Sequence, residues 1–413
     1  MSKPIDEQIA ILMQGTEYGS PELRAAMERE LRDRLTEAQT AGRPLKVYLG
    51  VDPRTTDLHL GHTVPMQKLR QFQELGHDCT FLIGSFTSLI GDPSDKDKTR
   101  PQLTPQEIEA NAQTYAEQAF KILDREKTRI RYNAEWLSPL SFADVINLAA
   151  NFTVQQFLAR ENFANRQRAG QPIFLHEFFY ALMQGYDAVA QETDVQIGGT
   201  DQLFNIVTAG RKLQQAFGQK PQIAIIVPIL PGTDGKVKMS KSLGNHIAIA
   251  LPPAEMYGKV MSLPDDVMIQ FFELVTRYGP TQIAEVQAGL ESGKRHPRDV
   301  KMELAREIVS IFHGDEAARD AEKHFQRVFQ QRKLPEKMPE YHLTESAKVI
   351  EVMVEAGLAP SKSQARRLIQ QGGVRLDDER ITDIDAEVTP DGEQHVLQVG
   401  KRRFLRLPGG DES

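Results

Sequence analysis

The sequence predicts an α/β fold, a doubly wound parallel sheet interrupted by helices and followed by a helical region and a small α+β unit. Three observations carry this expectation. The short run "KVYLGV" is followed by the amphipathic stretch "HTVPMQKLRQFQELG" and at once by a second apolar run, "CTFLIG". Strand, helix and strand at that spacing form a right-handed parallel crossover. The pattern resumes far downstream with "DVQIGG" and "QIAIIVPIL". Beyond "QRKLPEKMPEYHLTE", where prolines and charges replace periodicity, a helix and several short strands make a compact pattern of their own.

Taken in order, the first forty residues read as charged helix, with Ser20 as N-cap, Pro21 at the first position and opposite charges at helical spacing, a face expected to be solvated. The helix after "KVYLGV" holds Pro65 in its first turn and stops at Gly76. Residues of about 105–190 read as a helical insertion that splits the sheet. The expected division is therefore 1–240 for the sheet and insertion, 241–331 for a loop end and helical region, 332–345 for a linker, and 346–409 for the small unit.

At 413 residues, 40% apolar and 26% charged, the chain can bury one large core and a smaller second one. No window approaches a membrane span, and "MSKPIDEQIAILMQG" lacks the apolar core of an export signal, so a cytoplasmic protein without a membrane partner is expected. The single cysteine, Cys79, excludes an internal disulfide and a cysteine-built zinc site, and its strand context predicts a buried thiol. A net charge of −7 does not advertise nucleic-acid binding, although it leaves room for a local basic surface.

Two segments carry phosphate chemistry. "YLGVDPRTTDLHLGH" occupies a strand end followed by a helix start, where Gly61 lets the backbone approach a ligand and helix amides favour an anion. His59 and His62 there can donate to phosphoryl oxygens or simply cap the helix. No further acidic or histidine partner stands at helical spacing to make them metal ligands, so no metal site is expected. The second segment, "PGTDGKVKMSKSLGN", sends Lys238 and Lys241 from a loop between glycines at the mouth of the sheet.

"HLGH" after "VDP", together with "KMSKS", resembles the two signatures of class I aminoacyl-tRNA synthetases, in the order and separation of that class. The resemblance covers nearly the whole chain. It implies a Rossmann-type catalytic domain that joins an amino acid to ATP, releases pyrophosphate and passes the aminoacyl group to tRNA. By that likeness His59, His62, Lys238 and Lys241 are catalytic, and Gly61, Gly199, Asp201, Met239, Ser240 and Ser242 bind ATP, which brings Mg2+ with it. The residues alone equally allow Asp201 to cap the following helix and Asp52 to brace its own turn.

A polar stripe of Tyr180, Gln184 and Asp187 at i, i+4 and i+7 lies in the apolar helix "FFYALMQGYDAVA". Such a stripe is costly to bury unless a structural network or a polar ligand satisfies it. It resembles the substrate helix of the tyrosyl-tRNA synthetases. The likeness implies that Tyr48 and Asp187 bind the substrate hydroxyl, that Tyr180, Gln184 and Asp92 hold the ammonium, and that Gln202 reaches the carboxylate. Many members carry a hydroxyl residue two positions after the aspartate of "DP", where this chain has Arg54 followed by Thr55 and Thr56, so that pyrophosphate contact stays unassigned.

"SKSQARRLIQQGGVRLDDERI" resembles an S4-type RNA-binding module. Lys362, Arg366 and Arg367 share a helix face, Arg375 and the "KRRFLR" strand extend it, and Asp377, Asp378 and Glu379 are expected to point elsewhere. With the lysine loop, this unit implies the bacterial form of the family, tRNA-Tyr as partner, and a homodimer formed largely by the helical insertion. A tryptophan-specific relative, another nucleotidyl transferase with the histidine signature, and a non-catalytic RNA-binding paralogue are the rival readings.

Overall fold

A computed structural model describes residues 3–53, 58–94, 104–327, 338–343, 345–377, 379–400 and 403–409. It divides the chain into two compact units, Met1–Glu322 and Lys323–Ser413.

The first unit is built on five parallel strands, β1 (Lys46–Val51), β2 (Asp78–Ile83), β3 (Thr128–Tyr132), β4 (Val195–Gly199) and β5 (Ile223–Val227), in the order β3-β2-β1-β4-β5. The strand order reverses between β1 and β4, which opens a crevice at their carboxyl ends. β5 is buried along its whole length. The Glu17 amide bonds to the Ile226 carbonyl at 2.9 Å, so the chain leading into the helix at Pro21 covers that edge.

β3 corrects the expected insertion. "TRIRY" falls inside residues 105–190 and pairs with β2 in parallel, so the sheet is not interrupted until after Tyr132. Helix α4 (Pro105–Ala119) belongs to the crossover from β2 to β3. The inserted helices are α5 (Ala134–Leu137), α6 (Phe142–Ala149), α7 (Val154–Leu158), α8 (Glu161–Arg168) and α9 (His176–Ala190).

The amino-terminal helical stretch is two helices, α1 (Ile5–Met13) and α2 (Pro21–Thr40), and Ser20 caps the second by accepting from the Leu23 amide. Its charged face is not wholly solvated. Arg34 is buried and donates to Asp194 at 2.8 Å, and Asp194 also accepts from Arg43 and from the Lys46 amide. This ties α2 to the start of β4, at the end of the sheet away from the crevice. Removing one member of such a buried pair typically costs about 3–5 kcal/mol.

Helix α3 (Leu60–Glu74) begins at Leu60, which puts Pro65 in its second turn rather than its first, and Gly76 closes it with φ +86°. Cys79 is buried, as its strand context predicts. After β4 the chain winds as a π-helix over Phe204–Gly210 before α10 (Arg211–Ala216). The helices α11 (Pro253–Met261), α12 (Met268–Val275), α13 (Pro280–Glu291) and α14 (Pro297–Phe325, broken at Gly314) follow β5. Residues 241–322 share one compact unit with the sheet, so the expected division at 240 does not separate two bodies.

The second unit sets α15 (Val349–Glu355) and α16 (Lys362–Gln370) with an antiparallel sheet of β7 (Val374–Leu376), β8 (Glu379–Arg380), β10 (His395–Val399) and β11 (Arg403–Leu407), in the order β11-β10-β7-β8, and a small pair, β6 (Ala347–Lys348) with β9 (Glu387–Val388). Val349, Met353, Ala365, Ile369, Val374 and Leu397 are among its core residues. No helix among the described residues is long and apolar enough to cross a membrane.

Candidate active site

A cleft of about 550 Å³ opens at the β1/β4 reversal. It brings together Tyr48, Asp92, Tyr180, Gln184, Asp187 and Gln202 with His59, Gly61, His62, Gly199, Asp201, Lys238, Met239, Ser240 and Ser242. Lys241 is exposed and is not among the lining residues, which departs from its expected place beside Lys238. Arg54, Thr55 and Thr56 lie outside the described residues.

One end of the cleft is deeply buried. Tyr48 stands on β1 with its hydroxyl enclosed and without a hydrogen-bond partner. Burial, and then the charge of Asp187, push its pKa well above the ordinary phenol value. Asp187, on α9, accepts from Trp136 Nε1 at 2.8 Å and from Asn133 Nδ2 at 3.3 Å. Even so, burial raises its carboxyl to about 8. A buried hydroxyl that lacks a partner while lining a cavity marks where a ligand's polar group belongs.

The network continues along the cleft. Asn133 donates to Thr87, Thr87 donates to Asp52 at 2.8 Å, and the Tyr180 hydroxyl donates to the other Asp52 oxygen at 3.1 Å. Asp52 therefore joins Thr87 to Tyr180. Asp92 accepts from Gln202 at 2.5 Å and from the Ser94 amide at 2.8 Å, and Asn205 donates to Gln184 and Gln202. Asp201 lies inside the short turn Thr200–Gln202, after the N-cap position at Gly199, and accepts from Gln202 at 2.9 Å. Asn133, Trp136, Thr87 and Asn205 escape the sequence reading. The one available signal was Trp136, the only tryptophan in the chain.

At the other end the histidines cap the helix that follows them. His59 N-caps α3, its Nδ1 accepting from the Gly61 amide at 3.2 Å, and His62 Nδ1 accepts from the His59 amide at 3.2 Å. The rings lie 3.9 Å apart between centroids. Burial lowers both pKa values, His59 to about 3 and His62 to about 4, so the imidazoles are neutral at physiological pH. With each Nδ1 accepting, the proton sits on Nε2, which can donate. A Cβ at Gly61 would stand 3.0 Å from the His59 ring, so a side chain there would crowd the pair. No group of metal-ligating side chains occurs among the described residues.

The lysine loop is stitched to this end by the segment that follows it. Leu60 N bonds to the Ile247 carbonyl and Ile249 N to the Leu58 carbonyl, both at 3.0 Å. Upstream, the Met239 amide returns to the Leu230 carbonyl at 2.9 Å. The loop thus forms part of the wall against which the histidines stand.

The first unit and the fold of the cleft have a known counterpart. Residues 40–330 match the family model of tRNA synthetases class I (W and Y), and residues 330–407 match the Tyrosine–tRNA ligase SYY-like C-terminal domain. A tyrosine–tRNA ligase from Moorella thermoacetica is 53% identical over 98% of this chain and 97% of its own. The chain belongs to the tyrosine–tRNA ligase family. Two solved structures, each 22% identical, share the fold: a C-terminally truncated mitochondrial tyrosyl-tRNA synthetase from Aspergillus nidulans (TM-score 0.62, covering 79% of this chain and 93% of that one) and the tyrosyl-tRNA synthetase complexed with L-tyrosine from Archaeoglobus fulgidus (TM-score 0.60, 77% and 100%). Class I synthetases of this family are ligases that use ATP as a substrate.

In the carboxyl-terminal unit, Ser361 caps α16, whose Ala365 and Ile369 are buried while Lys362, Arg366 and Arg367 are exposed. Lys362 pairs with Glu351 at 2.7 Å. Arg375 is exposed on β7. Asp377 is exposed, accepting from the Val396 amide at 2.8 Å and lying 2.6 Å from His395 Nδ1, while Glu379 is also exposed and Asp378 lies outside the described residues.

Proposed function

We propose that the cleft activates L-tyrosine with Mg2+-bound ATP and then transfers it to the 3′ end of tRNA-Tyr. The observation that carries this reading is the enclosed Tyr48 hydroxyl beside Asp187, facing a cavity whose far end holds two neutral imidazoles and Lys238. A phenol fits between Tyr48 and Asp187. Tyr180, Gln184 and Asp92 offer the hydroxyl, amide and carboxylate that an ammonium group requires.

The substrate carboxylate is already a nucleophile, so adenylate formation needs no general base. It attacks the α-phosphorus, and the bond to the pyrophosphate oxygen breaks as charge builds on the departing group. The Nε2–H groups of His59 and His62 meet that charge as neutral donors, while Lys238 supplies positive charge from the loop. Magnesium arrives with the nucleotide as part of the substrate. Asp201 is placed for ribose hydroxyls, with Gly199 giving the backbone room to approach.

Two further parts belong to the same proposal. Exposed Arg366, Arg367 and Arg375, with Lys362, give the carboxyl-terminal unit a basic face for tRNA phosphates. Phe142, Ile146 and Val154 on the inserted helices, with Phe174 and Leu175 just before α9, stand well exposed, an apolar surface suited to a second copy of the chain. The enzyme acts in the cytoplasm, where tRNA charging serves translation.

Pyrophosphate exchange measured with each standard amino acid tests the central claim. Tyrosine alone should support it. Exchange with tryptophan in its place would transfer the pocket to the other branch of the family, and exchange with none would favour a non-catalytic RNA-binding protein.

A further inference from the structure

The loop that carries Lys238 is organised by one buried amide. Asn245 follows the "KMSKSLG" segment and is only 7% exposed. Its Oδ1 accepts from the Ser240 amide at 2.8 Å, and its Nδ2 donates to Asp234 Oδ2 at 2.7 Å and to the carbonyls of Lys238 and Val237 at 3.1 and 3.3 Å. Its own carbonyl accepts from the Thr233 amide at 2.8 Å. Asp234 in turn accepts from the amides of Lys236 and Val237, both at 2.7 Å. A Cβ at Gly232 would stand 2.2 Å from Asn245 Nδ2, so the loop's entry is shaped around this side chain.

Asn245 also sits at a mechanical junction. Two residues later, Ile247 begins the main-chain pairing with the histidine segment. One side chain thus joins the pinned segment beside His59 to the backbone on both sides of Met239. Exposed loops that carry long cations ordinarily sample many conformations, and each lost tether widens that range.

We propose that Asn245 is a positioning residue for adenylate formation, setting the Lys238 backbone against the histidine end of the cleft before ATP binds. This rests on the reading of the cleft as the tyrosine-activating site. Asn245 lines neither the buried phenol end nor the wall of the cleft, so its effect is exerted through the loop.

The test compares wild type with Asn245→Ala and Asn245→Asp in full-length protein. Asn245→Asp keeps an oxygen for the Ser240 amide but turns a carboxylate oxygen toward Asp234 and two carbonyls. Tyrosine-dependent exchange should lose about 100-fold in kcat in both variants, with KM for tyrosine unchanged. The double variant Asp234→Asn, Asn245→Asp restores a donor facing a carboxylate and should recover part of that loss. Unchanged kcat, or KM for tyrosine rising in step with the fall in kcat, would overturn the proposal. Hydrogen exchange over residues 231–245 supplies a readout independent of catalysis, in which the Ala variant should lose protection at the Ser240 amide. Retained protection would equally overturn it. Absence of exchange activity in wild type would refute the functional reading instead, while the protection measurement would still judge the tether.

Discussion

The two ends of the cleft are built on different principles. At the proposed tyrosine end, side chains from the turns after β1, β2 and β3 and from α9 interlock, and Asp187, Asn133, Thr87, Asp52 and Tyr180 form an unbroken relay. The proposed phosphate end consists of the first turn of one helix and a loop held chiefly by backbone bonds and Asn245. Selectivity against a near-identical amino acid needs fixed, desolvated partners, because only those penalise a missing hydroxyl. Charge stabilisation on a leaving group needs donors already aimed at the place where the charge develops. In the proposed reading, interlocked side chains hold the first task, and a helix terminus with a tethered loop holds the second.

The largest expected effect lies at the phosphate end. His59→Ala or His62→Ala should slow adenylate formation about 100- to 1000-fold in single-turnover measurements while leaving tyrosine binding nearly intact. If tyrosine affinity fell equally, the separation between the two ends would be wrong. At the opposite end, Asp187→Ala should reduce the preference for tyrosine over phenylalanine about 100-fold, read as the ratio of kcat/KM values. Undiminished preference would remove Asp187 from the pocket's selectivity.

The lysines sharpen the contrast within the loop. Lys238 lines the cleft and Lys241 does not. Lys238→Ala should cost about 100-fold in pyrophosphate exchange, whereas Lys241→Ala should cost about fivefold, the scale of an exposed charge. Equal losses would mean that ATP draws the loop inward until both ammonium groups reach the phosphates. A smaller effect is expected outside the cleft, where Arg366→Ala should lower the salt dependence of tRNA binding by about one unit of slope without altering tyrosine activation.

The sequence reveals the rigid parts unevenly. Apolar runs mark β1, β2, β4 and β5, and the polar stripe of α9 is visible because apolar neighbours surround it. β3 is hidden. "TRIRY" alternates arginines with other residues, as suits an outer strand paired on one side only, and leaves no apolar run to detect. Missing β3 also hides Asn133 and Trp136, which reach Asp187 only because that strand delivers them to the crevice. The π-helical turn carrying Asn205 is equally silent, since periodicity does not distinguish it from an α-helix. Asn245 has no periodic context at all, and its importance emerges only when the loop's bonds are traced.

The buried pocket makes one more prediction, the smallest in size. A carboxyl raised to about 8 in the folded chain keeps a proton that the unfolded chain releases near its ordinary value. Between those limits the native state binds more protons, so this group makes stability fall as pH rises, by at most about 1.4 kcal/mol per pH unit. Lys68, whose burial lowers it to about 7, titrates in the same range, so the absolute slope is not specific to Asp187. The difference between wild type and Asp187→Asn is specific. From pH 6 to 8 the melting temperature of wild type should fall more steeply than that of the variant. Saturating tyrosine should shrink the difference, because a phenolic hydroxyl donating to Asp187 favours its ionised form. Parallel curves with and without tyrosine would mean that the carboxylate is already satisfied by Trp136 and Asn133, and that the pocket is a closed structural network with no place for a phenol.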